Sequence, residues 1–365
     1  MKNGMIRVLQ ISNLSSGGIQ SHIISIYQNM DRSKIKFDFL VFKNKKEFYD
    51  EELKRLGGEK VVLIPKKHHR RIWDLYIMLK REKYDIVDLP LSSPNAFGWL
   101  ICMRLAGIRN ICIHAHSTGV IGNTIMEKAK RQVLYRISNG RFACSGEAAE
   151  YIFGRKNKSK ICIENNGIEA EKFAFSEKKR MQIRESLQLN NQYVVGHVGR
   201  FAYPKNQKFL IELFNQLVKV DNNISLLLIG VGEDKREVIQ LVAEYKLEGK
   251  VTILDPKSNI QDYYCAMDAF VLPSFFEGFP IVSVEAQASG LPMIVSDKVT
   301  RDINLTGQVE FLELSVEKWI DEILRKKTNS IEKRQCAFMD IRNAGFDIKE
   351  IAKELEYKYE QMCCR

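Results

Sequence analysis

Short apolar runs alternate with amphipathic stretches along almost the whole chain. Ile6–Ser12, Phe37–Phe42, Val61–Ile64, Ile86–Leu89, Ile111–His114, Arg141–Cys144 and Ile161–Glu164 have the length and composition of buried strands. Between them, apolar residues recur at helical spacing near Gln20–Met30, Glu47–Leu56, Ile72–Glu82, Asn95–Ala106, Met126–Ser138 and Gly146–Phe153. The alternation breaks between Glu169 and Asn191, a charged connector with a helix inside it. It then restarts. Tyr193–Val198, Ser225–Gly230, Val251–Leu254, Ala269–Leu272 and Met293–Ser296 read as strands. Gln207–Val220, Lys235–Tyr245, Ile260–Met267 and Val282–Ser289 read as helices, the last closed by Gly290 with Pro292 just beyond. The tail, Ile348–Met362, is a charged amphipathic helix.

Strands separated by single helices predict parallel sheets with right-handed crossovers. The restart predicts an α/β protein of two doubly wound, Rossmann-like domains facing a cleft. Residues 1–170 form the first and 171–345 the second; 346–365 is a C-terminal helix packing back toward the first domain. Ligands of such sheets bind beyond the carboxyl ends of the strands, which makes the cleft the expected site.

Composition narrows the class. A chain of 365 residues, 45% hydrophobic and 28% charged, buries a substantial core without disulfides or metals. The longest weakly polar stretch, Ala96–Ile108, is broken by Arg104 and falls short of the ~20 apolar residues that span a bilayer. Met1–Gln10 has no apolar signal-peptide core, so a cytoplasmic location is expected. The 8 cysteines form no C-x-x-C pair and are expected as buried thiols. The 6 histidines do not fall at zinc-ligand spacing near them.

Charge is uneven. Residues 1–170 carry a net +13 and the remainder −2. The excess concentrates at Lys66, Lys67, Arg70 and Arg71 (with His68 and His69), at Lys128, Lys130, Arg131 and Arg136, and at Arg155, Lys156, Lys158 and Lys160. Any one cluster is accounted for as a solvated face; the asymmetry between halves points to an anionic partner. Residues 66–83 interleave basic residues with Ile72, Trp73, Leu75, Ile77, Met78 and Leu79, the pattern of a helix lying on lipid. No nucleic-acid-binding motif accompanies the charge. The expected partner is an anionic membrane surface, with the protein peripheral at the inner face of the cell membrane.

Four constellations bear chemistry. Glu277-Gly278-Phe279-Pro280-Ile281 follows a buried strand and opens a helix, with Pro280 suited to its first turn. Backbone N–H groups there attract an anion, Glu277 points from the strand end, and Glu285 lies two turns on, suited to a ribose diol. Gly199-Arg200, with Lys205 behind it, follows the first strand of the second domain and suits a diphosphate. Ser15-Ser16-Gly17-Gly18 is a glycine turn before a helix, neither a full dinucleotide fingerprint nor a Walker A sequence. His114-Ala115-His116-Ser117 ends a strand. A zinc pair there lacks a third ligand. The other reading makes them hydrogen-bonding or acid–base groups facing the cleft, with His116, nearer the loop, preferred over His114.

These pieces in this order resemble the family 4 retaining glycosyltransferases of GT-B fold, of the bacterial capsular or exopolysaccharide type. The resemblance rests on Glu277 to Glu285 within EGFPIVSVEAQASGLP, on GRFAYPKNQ, LLLIGVGEDK, SSGGIQ and HAHS, and on NNGI from Asn165 to Ile168. It implies a hexosyltransferase passing a sugar from a nucleotide sugar to a lipid-linked or other glycan acceptor, with anomeric configuration retained. It implies that Arg200 and Lys205 hold the donor diphosphate, that Glu285 holds the ribose, and that Glu277 with the backbone of Gly278, Phe279, Pro280 and Ile281 grips the transferred sugar. Gly17 and Gly18 approach the phosphate and the acceptor, and His116 contacts the sugar near the reacting carbon. No bound metal or other cofactor is implied; the donor is a substrate, commonly a uridine nucleotide. Asp88-Leu89-Pro90 departs from the family's histidine-containing strand end. Two other activities fit the same pocket: a nucleotide-sugar epimerase of GT-B fold, and a non-catalytic nucleotide-sugar-binding subunit.

Overall fold

The computed structural model describes residues 4–15, 18–64, 70–117, 124–328 and 334–364. The chain forms two compact units. Unit 1 comprises residues 1–167 with 348–365, and unit 2 residues 168–347.

Unit 1 runs β1 (Ile6–Gln10), α1 (Gly18–Asn29), β2 (Ile35–Val41), α2 (Asp50–Arg55), β3 (Glu59–Val62), α3 (Arg71–Arg81), β4 (Ile86–Leu91), α4 (Phe97–Leu105), β5 (Asn110–Ala115), α5 (Ile125–Ile137), β6 (Gly140–Ala143), α6 (Gly146–Phe153) and β7 (Cys162–Ile163). Its strands form one parallel sheet in the order β3-β2-β1-β4-β5-β6-β7. Val8, Phe37, Ile86, Cys112 and Phe142 line one face, packed against α1 and the C-terminal helix. Leu9, Leu40, Val87, Ile111 and Ile113 line the other, packed against α3, α4 and α6. Burial on both faces explains why the strands read as near-continuous apolar runs. The helix predicted from Glu47 starts only at Asp50. Glu47 is used otherwise: its carboxylate accepts the Leu14 N–H at 2.9 Å, tying the loop after β1 to the loop after β2.

Unit 2 runs α7 (Glu177–Ser186), β8 (Tyr193–Val198), α8 (Gln207–Val220), β9 (Ile224–Ile229), α9 (Lys235–Glu244), β10 (Val251–Leu254), α10 (Ile260–Ala266), β11 (Ala269–Leu272), α11 (Ile281–Ala288), β12 (Met293–Ser296), β13 (Val309–Leu312), α12 (Val316–Lys327) and α13 (Ala337–Asn343). Its parallel sheet has the order β10-β9-β8-β11-β12-β13. The sequence pattern stops at β12 and misses β13, α12 and α13. β13 is an edge strand of four residues with only Val309 buried, too short and too mixed for a period to show. The last helix, α14 (Ile348–Cys363), returns to unit 1, where Ile351, Leu355 and Tyr359 join the core beside α1. The two chain crossings leave unit 2 side by side, with the Ile168 N–H on the Phe346 carbonyl at 2.9 Å.

The connector earns its place through charge. From α7, Arg180 and Arg184 both bond the buried Asp268 carboxylate, which also accepts the Val194 N–H at 2.7 Å. Arg180 caps the Cys265 and Met267 carbonyls at 3.1 and 3.0 Å, and Arg184 caps Ala266 at 2.9 Å. Arg334 adds bonds to Met267 at 2.8 Å and Tyr264 at 3.1 Å. Three guanidinium groups thus satisfy the end of α10 just before β11. Asp268→Asn leaves buried cations without their counter-ion, and unit 2 is expected to lose about 3–5 kcal/mol in denaturant unfolding. Surface pairs such as Lys318–Glu313 serve as the comparison, with an expected loss under about 1 kcal/mol.

Candidate active site

In each sheet the strand order reverses once, between β1 and β4 and between β8 and β11. Two of the predicted constellations emerge at the second reversal. Gly199–Lys205 follows β8, and Pro273–Pro280 follows β11.

The loop after β8 is fixed by close backbone approach. Gly199 N–H bonds the Ile229 carbonyl and Phe201 N–H the Val231 carbonyl, each at 3.0 Å. A side chain at Gly230 would meet the Gly199 oxygen at 1.9 Å, and one at Gly232 the Phe201 oxygen at 2.1 Å. Those glycines therefore belong to the loop's geometry. A 3-10 turn, Tyr203–Lys205, follows, and Asn206 takes a left-handed conformation with φ of 54°. The two loops are then stapled together. Phe275 N–H bonds the Pro204 carbonyl at 2.9 Å, the Asn206 amide bonds the Pro273 carbonyl at 3.2 Å, and the Tyr203 and Phe275 rings lie 5.0 Å apart. The Lys205 ammonium pairs with the Glu277 carboxylate, which also accepts the Ser274 hydroxyl at 2.9 Å. Residues 72 positions apart in the chain form one charged contact.

Behind this contact lies a neutral histidine. His197 Nδ1–H donates to the Val271 carbonyl at 2.9 Å, and its Nε2 accepts from Gln207 at 3.2 Å. Gln207 also donates to the Arg200 carbonyl at 2.8 Å. Burial lowers the His197 pKa to about 4, against the Val271 bond that favours the charged form. Gln207, at the start of α8, thus holds the Arg200 backbone and the buried His197 ring together. Sequence reasoning passed over both residues, although they flank the GR…K element directly.

The remaining predicted residues sort clearly. Arg200 is exposed and pairs with exposed Glu233 at 2.9 Å, a contact weak enough to exchange for a ligand. Pro280 is the N-cap of α11 in extended conformation and not part of its first turn; its carbonyl accepts the Ser283 N–H at 3.0 Å and hydroxyl at 2.7 Å. Gly278 is exposed, and a side chain there would meet nothing within 4 Å. Phe279 stacks on Phe346 at 5.3 Å, and Ile281 packs on the same core, so their side chains face inward and only their backbone is offered. On α11, Glu285 accepts the Tyr264 hydroxyl at 2.7 Å through Oε2. Burial raises its pKa, partly countered by that bond.

In unit 1, Gly18 opens α1 and is exposed, while Gly17 lies outside the described residues. His116 follows β5, held by its N–H on the Leu91 carbonyl at 3.1 Å. Neither ring nitrogen has a hydrogen-bond partner among the described residues. Burial, then the nearby His114 and His22, push its pKa down to about 3, so the ring is neutral. His114 is otherwise engaged: Nε2 lies 3.1 Å from Asp88 Oδ2, and Nδ1 lies 3.3 Å from Glu164 Oε1. Of the two histidines, His116 has free ring nitrogens among the described residues.

Comparison with known proteins decides the family. Residues 179–306 match the family model "Glycosyl transferases group 1", and residues 16–172 match "Glycosyltransferase Family 4". The chain belongs to the glycosyltransferases. EpsF of Bacillus subtilis (strain 168), named as a glycosyltransferase, is 28% identical over 368 residues, covering 96% of this chain and 95% of that protein. The UDP-Gal:alpha-D-GlcNAc-diphosphoundecaprenol alpha-1,3-galactosyltransferase of Escherichia coli is 28% identical over 250 residues, covering 63% and 62%. The solved structure of Anabaena HepE in complex with UDP-glucose aligns with a TM-score of 0.72 at 18% identity, covering 98% of this chain and 100% of that one. This likeness, with the two parallel sheets, establishes the GT-B fold of this glycosyltransferase.

The neutral His197 makes a pH prediction. Its folded pKa lies below the ordinary 6.5, so the stability it shares in is present above 6.5 and falls as pH drops toward 4. Wild-type protein is expected to lose about 2 kcal/mol more than His197→Asn between pH 7 and pH 5, measured by urea unfolding. Equal losses in the two proteins would show that the ring carries no such penalty.

Proposed function

We propose that this glycosyltransferase moves a sugar from a nucleoside diphosphate sugar to a lipid-linked glycan of a surface polysaccharide, with retention of anomeric configuration. The observation that carries the reading is the Lys205–Glu277 contact at the sheet's reversal point, beside the start of α11. The diphosphoundecaprenol acceptor in the name of the Escherichia coli relative and the UDP-glucose of HepE support the choice of partners.

Breaking a sugar–phosphate bond develops negative charge on the leaving diphosphate and positive charge on the anomeric carbon. Lys205 and Arg200, with the N–H groups that open α11, stabilise the diphosphate. Arg200 exchanges Glu233 for phosphate, and Lys205 shares its charge between phosphate and Glu277. The Glu285 oxygen not held by Tyr264 accepts from the ribose. Glu277, fixed by Ser274 and Lys205, takes the hydroxyls of the transferred sugar together with the open backbone at Gly278. His116 supplies a neutral imidazole that hydrogen-bonds the sugar; at its low pKa it does not serve as a proton-donating acid. In a retaining reaction of this kind the leaving phosphate accepts the acceptor's proton, so no further base is needed.

Alanine at Arg200 or Lys205 is expected to weaken UDP binding by about 1.5–3 kcal/mol in calorimetry, the scale of charged hydrogen bonds. Glu277→Gln and His116→Ala are expected to lower turnover far more than donor affinity. Wild-type turnover in both would remove them from the site. Release of free UDP separates transfer from isomerisation, and binding without either product marks a non-catalytic subunit.

The second part of the proposal is peripheral attachment to an anionic membrane through unit 1. No helix of the described residues is long and apolar enough to cross a bilayer. Lys66 and Lys67 lie outside the described residues, so the surface is built from α3, α4 and the start of α5. On α3, only Leu75 and Leu79 are buried, and Ile72 and Trp73 face solvent. On the adjoining α4, Phe97, Ile101 and Leu105 form an exposed stripe at i, i+4 and i+8, and Ile125 and Met126 are exposed at the start of α5. Exposed Lys80, Arg81, Arg104 and Lys128 border these residues in the chain. Each basic residue near an anionic surface contributes about 1 kcal/mol. Co-sedimentation with phosphatidylserine-containing vesicles is expected to exceed that with neutral ones, to fall at high salt, and to drop several-fold in Trp73→Ser/Leu105→Ser. Equal binding to both vesicle types would return the charge excess to solubility.

A further inference from the structure

Unit 1 buries a connected set of ionisable groups behind His116. On the face covered by α1 and α14, Gln10, Asp88 and Cys112 occupy one row across β1, β4 and β5. The next row holds Pro90, His114 and Phe142. Helices cover this sheet, and apolar residues are the norm at such positions. Instead, Asp88, only 2% exposed, gathers three groups on Oδ2: the Gln10 amide at 3.2 Å, His114 Nε2 at 3.1 Å, and the hydroxyl of Tyr359, which donates from α14. On the other side of the His114 ring stands Glu164, with His22 Nε2 at 3.8 Å from it. Phe142 stacks on the His114 ring at 4.5 Å.

Carboxylates 3.1 and 3.3 Å from the two ring nitrogens favour a proton on each, the imidazolium form of His114. Burial opposes that charge, but Asp88 and Glu164 outweigh it and hold the pKa up, to about 10. Such clusters add little stability over an apolar core, but they fix one arrangement. What this one fixes is the ground beneath His116. The two imidazoles project from the same side of β5, nearly parallel, with centroids 6.1 Å apart, and the His22 ring stands 6.0 Å from His116 at 72°. The space left among these side chains holds about one water molecule.

We propose that Tyr359, Asp88 and His114 form a buried relay of positioning residues that sets the His116 ring for transfer, so that the last helix of the chain completes the site. The inference rests on the part given to His116 above. The relay runs from α14 inward. The Tyr359 hydroxyl holds Asp88 in one rotamer, Asp88 and Glu164 hold the His114 imidazolium, and that fixed cation orients His116 and keeps it neutral. The ionisable groups around His114 are Asp88 from β4, Glu164 beyond β7, His22 from α1, Cys112 from its own strand, His116 just after that strand, and Tyr359 and Lys358 from α14. Lys358 lies 3.0 Å from Cys162 Sγ and 5.5 Å from the Phe142 ring centroid, and Glu164 is among the groups that raise its pKa.

The experiment uses the full chain. UDP release from UDP-glucose, UDP-galactose and UDP-N-acetylglucosamine is followed between pH 6 and 9, and histidine ring resonances are recorded by NMR on labelled protein. Wild-type kcat is expected to be flat over this range, with His114 protonated throughout. Tyr359→Phe keeps the ring and its packing; it is expected to lower kcat three- to ten-fold, leave donor KM within two-fold, and shift the His116 resonances. Asp88→Asn leaves His114 with one carboxylate, and an alkaline loss of kcat and a titrating His114 signal are expected to enter the pH 6–9 window. The relay is overturned if both variants keep wild-type kcat, a flat profile and unmoved His116 resonances while His116→Ala is inactive. It is also overturned if kcat and KM change together in Tyr359→Phe with the profile still flat, the mark of a structural role alone. Should none of the three donors turn over, the two NMR readouts decide. Wild-type turnover in His116→Ala fails the reading of His116 itself.

Discussion

A parallel sheet covered by helices on both faces gives its polar side chains two choices. They reach the loops beyond the carboxyl ends of the strands, or they are buried and must be paired. Much of the chemistry in this glycosyltransferase follows from that constraint. Lys205, Glu277 and Arg200 stand on loops at strand ends. Asp268, Asp88, Glu164 and His114 stand inside, and each has charged or hydrogen-bonding neighbours.

The two units use buried charge differently. In unit 2 three arginines converge on the end of α10, and two of them on Asp268. Their work is to fasten the connector helix α7 to the sheet and to fix where β11 begins. The loop bearing Glu277 emerges from that strand, so where Glu277 stands depends on a cluster buried at the strand's start. In unit 1 the buried charges lie directly under a neutral imidazole. There His114 lies 6.1 Å from the His116 ring, and Tyr359 reaches Asp88 from α14.

Neutral histidines recur in both units for a shared reason. His197 and His116 are buried near cations or other imidazoles, and burial removes their protons. A group held neutral offers a hydrogen bond without adding a charge. The lysine–glutamate contact has the same economy. It keeps both residues in place without ligand, at a strand reversal where the backbone of α11 also opens.

The sequence alone determined the class of fold and the main loops of the site. Strands of few residues, each followed by one helix, admit little besides parallel sheets. EGFP and GR…K were legible because chemistry at a strand end leaves short, ungapped signatures. Tertiary structure decided what lies across strands. The pairing of Lys205 with Glu277 depends on β8 lying beside β11, and no local pattern encodes that neighbour. It turned Phe279 inward and left its backbone as the offered part, because Phe346 from beyond α13 stacks on it. It delayed α2, because Glu47 was needed by Leu14. It also gave Asp88 its meaning. Along the chain Asp88 is a lone acid in an apolar strand; only when β4 lies between β1 and β5, with α14 laid over them, do Gln10, His114 and Tyr359 meet on its carboxylate. Side-chain periodicity specifies which residues go inside, but the partner of a buried charge is chosen by strand order and by where the last helix returns.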